Sequence, residues 1–292
     1  MSEASNIRPG EQLDEEGLHA YLQGRLPGAE RAMEVRQFRG GAANLTYLLD
    51  FEGIEYVLRR PPLGPVPKGA HDMRRESRVL AALPDVYPLA PRALLFCDDL
   101  DVLGAEFFVM ERRRGVVVRK TLPAAFDAAD GPAQLAYALV DALADLHRVD
   151  FEAIGLADLG RPEGFVERQV EGWYRRWQAT ENPTAGMAAL YRHLLDCQPP
   201  PSRPSLVHND YKLDNVMFDP ADPSRPVAVF DWDMCTLGEP LSDLGALLTY
   251  WITPRDPMPA QMMSTMPLHP GFPDREALVA HYAERSGLDV SH

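Results

Sequence analysis

Leu206-Val-His-Asn-Asp-Tyr-Lys-Leu-Asp-Asn-Val-Met-Phe218 sets a turn rich in oxygen-bearing side chains between two apolar runs. Asp210 stands two residues after His208, and Asn215 follows five residues later. A second stretch, Val227-Ala-Val-Phe-Asp-Trp-Asp233, ends another apolar run in a pair of carboxylates. Leu206 with Val207, and residues 216–218, predict two short buried strands that hold the polar turn by rigid flanks. Residues 227–230 predict a further strand that delivers Asp231 at its end. The Pro-rich residues 219–226 between them read as a hairpin-like loop. A polar β-turn could carry Asp and Asn without purpose, but the second stretch, with its own strand and its own Asp-Trp-Asp, makes that the weaker reading.

This order of residues suits phosphoryl transfer, which asks a protein mainly for positioning and charge neutralisation. Asp210 is the candidate catalytic base, placed to orient and deprotonate a hydroxyl. Asn215 and Asp231 are candidate oxygen ligands for Mg²⁺, which keeps several waters and needs few protein donors beside ATP phosphates. Asp233 could join them or hydrogen-bond its own loop. Lys212 could neutralise charge on the transferring group, or be an exposed loop lysine. His208 reads as a buried residue holding the turn, and Asp243 as a brace for the catalytic loop. His147, at the end of an apolar helical stripe, reads as a satisfied core residue.

Working outward, the chain of 292 residues is long enough for two lobes. A net charge of −14 repels phosphate backbones and argues against nucleic acid as a partner. Cys97, Cys197 and Cys235 are too far apart for a disulfide framework or a metal motif, which fits a reducing compartment. The start, Met1-Ser-Glu-Ala-Ser-Asn, has neither the basic region nor the apolar core of a signal peptide. No apolar run has the length of a membrane span. The expectation is a cytoplasmic protein with no membrane partner.

Residues 11–26 predict a short amphipathic helix. Residues 35–38, then 39–49 with Gly40-Gly41 between two strand-like runs, and then 56–59 after the Glu52-Gly53 turn, predict a meander. No Gly-Lys-Ser/Thr is present, so the glycine turn is not a Walker A loop. Residues 72–83 predict a helix, and 93–97 and 106–110 two more strands around a turn at 98–103. After Arg112-Arg-Arg114 the pattern turns helical, with predicted helices at 132–149, 163–180, 185–196, 241–251 and 274–286. The expectation is an α+β chain. Residues 1–111 form a β-rich nucleotide-binding lobe, residues 112–292 a mainly helical catalytic and substrate-binding lobe, and ATP lies in the cleft beside the boundary. Gly40 and Gly41 would let backbone N–H groups approach phosphate. Arg59 would be the phosphate-binding cation, with Arg60 on the opposite strand face, and Glu76 would pair with Arg59.

His208-Asn-Asp210 through Asn215, with Asp231-Trp-Asp233 and Pro240-Leu-Ser-Asp243, resembles the aminoglycoside phosphotransferase and choline kinase-like family. Within it, the chain is similar to a branch that stands alone in bacteria or is fused to acyl-CoA dehydrogenases. Gly40-Gly-Ala-Ala-Asn44, Tyr56-Val-Leu-Arg-Arg-Pro61 and Phe107-Phe-Val-Met-Glu111 carry the likeness through the first lobe. The resemblance implies a bilobal protein-kinase-like fold, Asp210 as base, and Asn215 and Asp231 on Mg²⁺. It implies Arg59 where the family often has lysine, Glu76 as its helix partner, Asn44 in the glycine-turn motif, and Met110 and Glu111 at the hinge that meets adenine. Arginine binds as a planar fork, so phosphate geometry at 59 would differ from a lysine's. The resemblance also implies further helices beyond His292, so an end there would leave the substrate side incomplete.

The leading expectation is an ATP- and Mg²⁺-dependent phosphotransferase acting on a small-molecule hydroxyl. The acceptor stays open among aminoglycoside, choline-like and hydroxyacyl-CoA alcohols, since fold and substrate are separable. Arg112–114 and Arg175-Arg176 would suit an anionic acceptor, or be solvated surface. Two alternatives stand beside it: a catalytically silent nucleotide-binding module, and a protein kinase. The long helical stretch before residue 206, and Asp-Trp-Asp where protein kinases carry Asp-Phe-Gly, argue against the protein kinase.

Overall fold

The computed structural model describes residues 4–38, 44–64, 71–128, 130–180 and 184–291, and within them the side chains of all but residues 185, 259, 260 and 263. The chain divides into two compact units, Met1–Gly115 with Val227–Asp233, and Val116–Pro226 with Met234–His292.

The first unit is built on strands β1 (Ala4–Ser5), β2 (Met33–Phe38), β3 (Leu45–Phe51), β4 (Ile54–Arg60), β5 (Ala93–Cys97) and β6 (Phe107–Glu111), with helices α1 (Glu15–Leu22), α2 (Met73–Ala82) and the short α3 (Leu100–Leu103). The sheet order is β1-β2-β3-β4-β6-β5, antiparallel throughout. The two-residue period of a strand decides which face each side chain meets. Tyr47, Leu49 and Phe51 on β3, Leu58 on β4, and Phe107 and Val109 on β6 share one core with Leu18 and Leu22 of α1. Each fully buried side chain there contributes about 1.5–3 kcal/mol of hydrophobic stabilisation. Arg60 follows the same parity as Leu58, and its Nη1 donates to Leu103 O beside that core (3.1 Å). Arg59 has the opposite parity and pairs with Glu76 of α2, which matches the alternation expected from sequence. Asp72 caps α2 by accepting from Arg75 N–H (2.9 Å), placing Glu76 in the first turn.

The expected meander and the expected helices are present, with ends shifted by a few residues; the first helix is shorter at both ends than residues 11–26. The turn expected at 98–103 contains α3, capped by Asp99 and closed by Gly104 in the left-handed region (φ 74°).

The second unit contains β7 (Val116–Val117), α4 (Gly131–His147), α5 (Phe165–Gln178), α6 (Ala185–Asp196), β8 (Ser205–Val207), β9 (Val216–Asp219), the start of β10 (Asp222–Val229), β11 (Thr236–Gly238), α7 (Pro240–Tyr250), α8 (Met258–Met263) and α9 (Arg275–Ser286). Two small sheets, β10-β9-β7 and β11-β8, flank the turn at 208–215. Leu135, Leu139, Leu143 and Leu146 of α4 are all buried, as their helical stripe requires. The loop expected over 219–226 is shorter than that: β10 begins at Asp222 and runs through Pro223 and Pro226. It lies at the edge of its sheet, where a residue without an N–H costs no ladder hydrogen bond. Helix α8 had no counterpart in the sequence reading. Its six residues include Pro259 and lack a long apolar period. Among the described residues, no helix is long and apolar enough to cross a membrane.

Candidate active site

The turn in the second unit is set by hydrogen bonds to one buried carboxylate. Beyond β8, the N–H of His208 donates to Asp243 Oδ2 (2.6 Å) and the N–H of Asn209 to Asp243 Oδ1 (2.7 Å). Asp243 is completely buried in the first turn of α7. Asn209 takes a left-handed conformation (φ 64°), which Asn tolerates better than most residues, and its Nδ2 donates to Met234 O (2.9 Å). His208 is fully buried, and its Nδ1 accepts from Asp210 N–H (3.3 Å). Tyr211 packs edge-on against the His208 ring, and its hydroxyl donates to Leu139 O on α4 (2.8 Å). The bracing expected of Asp243 and the scaffold role expected of His208 are both visible in this geometry.

Asp210 emerges from that frame with its carboxylate already oriented. Lys212 Nζ donates to both oxygens at 2.7 Å, and Asn215 Nδ2 donates to Oδ2 (3.0 Å) and to Asp210 O (2.9 Å). A carboxylate offers roughly four lone-pair sites. Among the described residues these contacts use three, so one remains for an incoming O–H. The amide of Asn215 donates through its nitrogen, and its oxygen is the atom type that a hard cation takes. Lys212 also lies over the Tyr250 ring, with Nζ 5.4 Å from the centroid. Burial pulls the Lys212 ammonium down. The hydrogen bonds and charge of Asp210, with Asp214 adding, outweigh it and hold Lys212 above the ordinary lysine range.

The first unit gathers Arg59, Glu76 and Asp231. Arg59 Nη2 donates to Asp231 Oδ1 at 2.5 Å. Arg59 Nε and Glu76 Oε2 lie 3.0 Å apart, yet neither atom makes a hydrogen bond of good geometry, so charge and not a directed bond holds them. Glu76 also accepts the backbone N–H of Trp232. Asp231 is left-handed (φ 69°), a strained position that this anchoring maintains. Trp232 Nε1 donates to Val229 O (2.8 Å), and its ring packs edge-on against Tyr87. Burial acts against the charge on Arg59, but Glu76 and Asp231, with Asp233, hold its pKa above the ordinary arginine value. Burial pushes the Glu76 carboxyl up to about 7 against the pull of Arg59, and Asp233 and Asp231 add to the rise. Asp233 thus belongs electrostatically to this group.

Of the other predicted residues, Asn44 is buried; its Oδ1 meets His71 Nδ1 (2.8 Å), while its Nδ2 has no partner among the described residues. Met110 is buried in β6 opposite Val57. Glu111 spends its N–H on Arg92 O and its Oε1 on Arg92 N–H and Arg113 Nε. Gly40 and Gly41 lie outside the described residues. Among the described residues, no group of three or more His, Cys, Asp or Glu side chains is arranged to hold a metal by itself. The Asn215 amide oxygen in the second unit, and the Asp231 and Asp233 carboxylates in the first, are each nonetheless the hard oxygen donors that suit Mg²⁺ sharing its shell with phosphates and water. An orphaned buried amide at Asn44 is likewise a donor suited to a phosphate oxygen.

Sequence reading missed the Tyr211 anchor, the Trp232 N–H bonded to Glu76, and the left-handed Asn209 and Asp231. Only the last pair had a signal, because Asn and Asp are the side chains enriched in that conformation.

Comparison with known proteins gives this geometry its context. A model of the phosphotransferase enzyme family matches residues 34–278. The rat protein named acyl-CoA dehydrogenase family member 11 is 34% identical over 97% of this chain, which spans only 37% of that relative's length. The crystal structure of a putative aminoglycoside phosphotransferase from Ralstonia eutropha is 31% identical, with a TM-score of 0.79 over 96% of this chain and 82% of its own. The streptomycin–ATP–APH(2")-IIa ternary complex is similar in fold alone, at 18% identity, with a TM-score of 0.61 over 94% of this chain and 82% of its own.

Proposed function

We propose that this chain, which belongs to the phosphotransferase enzyme family, moves the γ-phosphoryl group of ATP to a hydroxyl of a small molecule with Asp210 as the base. The observation that carries this reading is the Asp210 carboxylate, held by Lys212 and Asn215 with one acceptor position left over.

In this mechanism the acceptor hydroxyl donates to the remaining site on Asp210, which aligns the oxygen and takes its proton as that oxygen bonds the γ-phosphorus and the γ-phosphorus to bridging-oxygen bond breaks, with ADP leaving. Lys212 and Asn215 keep the carboxylate from rotating away, and Asp243 fixes the backbone behind it. Arg59 binds nucleotide phosphate, oriented by Glu76. The Asn44 amide supplies a further donor to phosphate, and the Met110–Glu111 backbone faces the adenine. Asn215, Asp231 and Asp233 are the oxygen donors that would hold Mg²⁺, which when bound neutralises phosphate charge. The relative named for acyl-CoA dehydrogenase makes a hydroxyacyl-CoA one acceptor to test beside aminoglycoside and choline-like alcohols.

The 2.5 Å pairing of Arg59 with Asp231 favours a second reading, a silent nucleotide-binding module in which cation and carboxylate neutralise each other. One experiment separates the two. ADP release is measured with ATP, Mg²⁺ and a panel of hydroxylated metabolites, for the natural chain and for Asp210→Ala. Turnover lost in Asp210→Ala supports the base. Turnover that survives removes Asp210 from the mechanism, and ATP binding with no turnover on any acceptor supports the silent module.

A further inference from the structure

Helix α9 buries a tyrosine to which the proposed reaction gives no task. The helix forms because Asp274 caps it by accepting from Ala277 N–H (2.9 Å) and Gly287, left-handed at φ 71°, closes it. Leu278 and Tyr282, four residues apart, share its buried face. His281 Nε2 and Arg285 Nε reach Asp141 on α4 at 2.8 and 2.7 Å, clamping the two helices together.

Beneath that clamp runs a line of buried polar groups. The Tyr282 hydroxyl lies 2.6 Å from His147 Nδ1, and His147 Nε2 lies 3.2 Å from Asp243 Oδ2. Tyr282 and Asp243 are fully buried, and His147 nearly so. Asp243 in turn accepts the N–H groups of His208 and Asn209, the two residues before Asp210. Burial, and then the charge of Asp243, push the Tyr282 hydroxyl far above the ordinary tyrosine range, so it keeps its proton, while Ser286 donates to its oxygen. With hydrogen on Nε2 and Nδ1 accepting, His147 gives every group in the line a partner: Ser286 to Tyr282, Tyr282 to Nδ1, and Nε2 to Asp243.

We propose that Tyr282 is a positioning residue for the reaction, acting through His147 and Asp243 on the backbone that aims Asp210. Its kinetic consequence rests on Asp210 being the base. Removing the hydroxyl leaves Nδ1 of a buried imidazole without a partner. The ring is then free to change tautomer or rotate, and the carboxylate that clamps residues 208 and 209 loses its third donor.

The test uses the full chain and the variants Tyr282→Phe, His147→Gln, both together, and Glu284→Gln as an exposed control on the same helix. Hydrogen–deuterium exchange is followed in peptides covering residues 206–211 and α9, and ATP hydrolysis to water is followed with MgATP alone. The relay predicts that Tyr282→Phe speeds exchange at 206–211 by roughly tenfold while α9 stays protected. It predicts a similar fall in kcat with KM for MgATP unchanged, a double variant no worse than His147→Gln, and no change in Glu284→Gln. Unchanged exchange at 206–211, equal loosening of α9 and 206–211, or additive effects in the double variant would each overturn it. Exchange needs no turnover, so a chain without phosphotransferase activity would refute the proposed reaction while the exchange data still decide the relay.

Discussion

The turn around Asp210 and the group around Arg59 reach order by different physics. Around Asp210, directed hydrogen bonds from backbone N–H groups converge on Asp243, and side-chain donors converge on Asp210 itself. Around Arg59, three carboxylates surround one buried guanidinium, and the Nε contact to Glu76 lacks hydrogen-bond geometry. Directed bonds define one arrangement and respond little to solution conditions. A balance of buried charges depends on which protons and counter-ions are present. The first region is suited to a group whose aim must not vary, the second to one that rearranges as charge arrives.

The sharpest way to separate the two is at the reacting carboxylate. Asp210→Asn keeps a side chain of the same size but cannot take a proton. Initial rates of phosphate transfer should fall by roughly 10²–10⁴-fold, while the melting temperature barely moves. A drop in melting temperature as large as the loss of rate would make Asp210 structural.

Next comes the brace. Asp243→Ala leaves the N–H groups of buried His208 and half-buried Asn209, and His147, without their acceptor, so urea denaturation should show a loss of about 3 kcal/mol. A loss under about 1 kcal/mol would mean that water replaces the carboxylate, and the turn would then owe its shape to something else.

The charge-balanced region should instead respond to pH. The Glu76 carboxyl is raised from its ordinary 4.5 to about 7, so the folded state holds its proton more tightly than the unfolded state does. That contribution to stability is fully present below pH 4.5 and is lost as pH rises through about 7. Denaturation across that window should show stability falling with pH more steeply in the natural chain than in Glu76→Gln. Equal slopes would place the Glu76 pKa near its unfolded value.

The smallest effect is expected from Arg59→Lys. A lysine retains the charge but has no fork to hold Glu76 and Asp231 together, and the variant should lose about 1 kcal/mol. A loss several times larger would mean that the Nε contact is a directed bond after all.

Much of this architecture was legible in the sequence because it depends on short-range patterns. The alternation through 56–60 separated Arg59 from Arg60 by face, and the leucines of α4 declared its buried stripe. The polar turn at 208–215 between two apolar runs announced the candidate site. Its braces were harder to read. Asp243 could be named as a support but not given its partners, and His147 could be placed in the core without its line to Tyr282, which lies 135 residues further along the chain.

Local order along the chain therefore determined the strands, the main helices, and the presence of Asp210, Asn215 and Asp231 at the ends of apolar runs, because side-chain periodicity is a property of neighbours in sequence. Tertiary structure alone decided that Val227–Asp233 returns to the first unit, where Val229 N–H donates to Leu89 O and Arg113 reaches Val227 O. It also decided that Glu76 bonds the backbone at Trp232 and that Tyr282 joins His147 and Asp243. A buried donor takes whichever acceptor the packed chain brings within reach, and no spacing in the sequence specifies that choice.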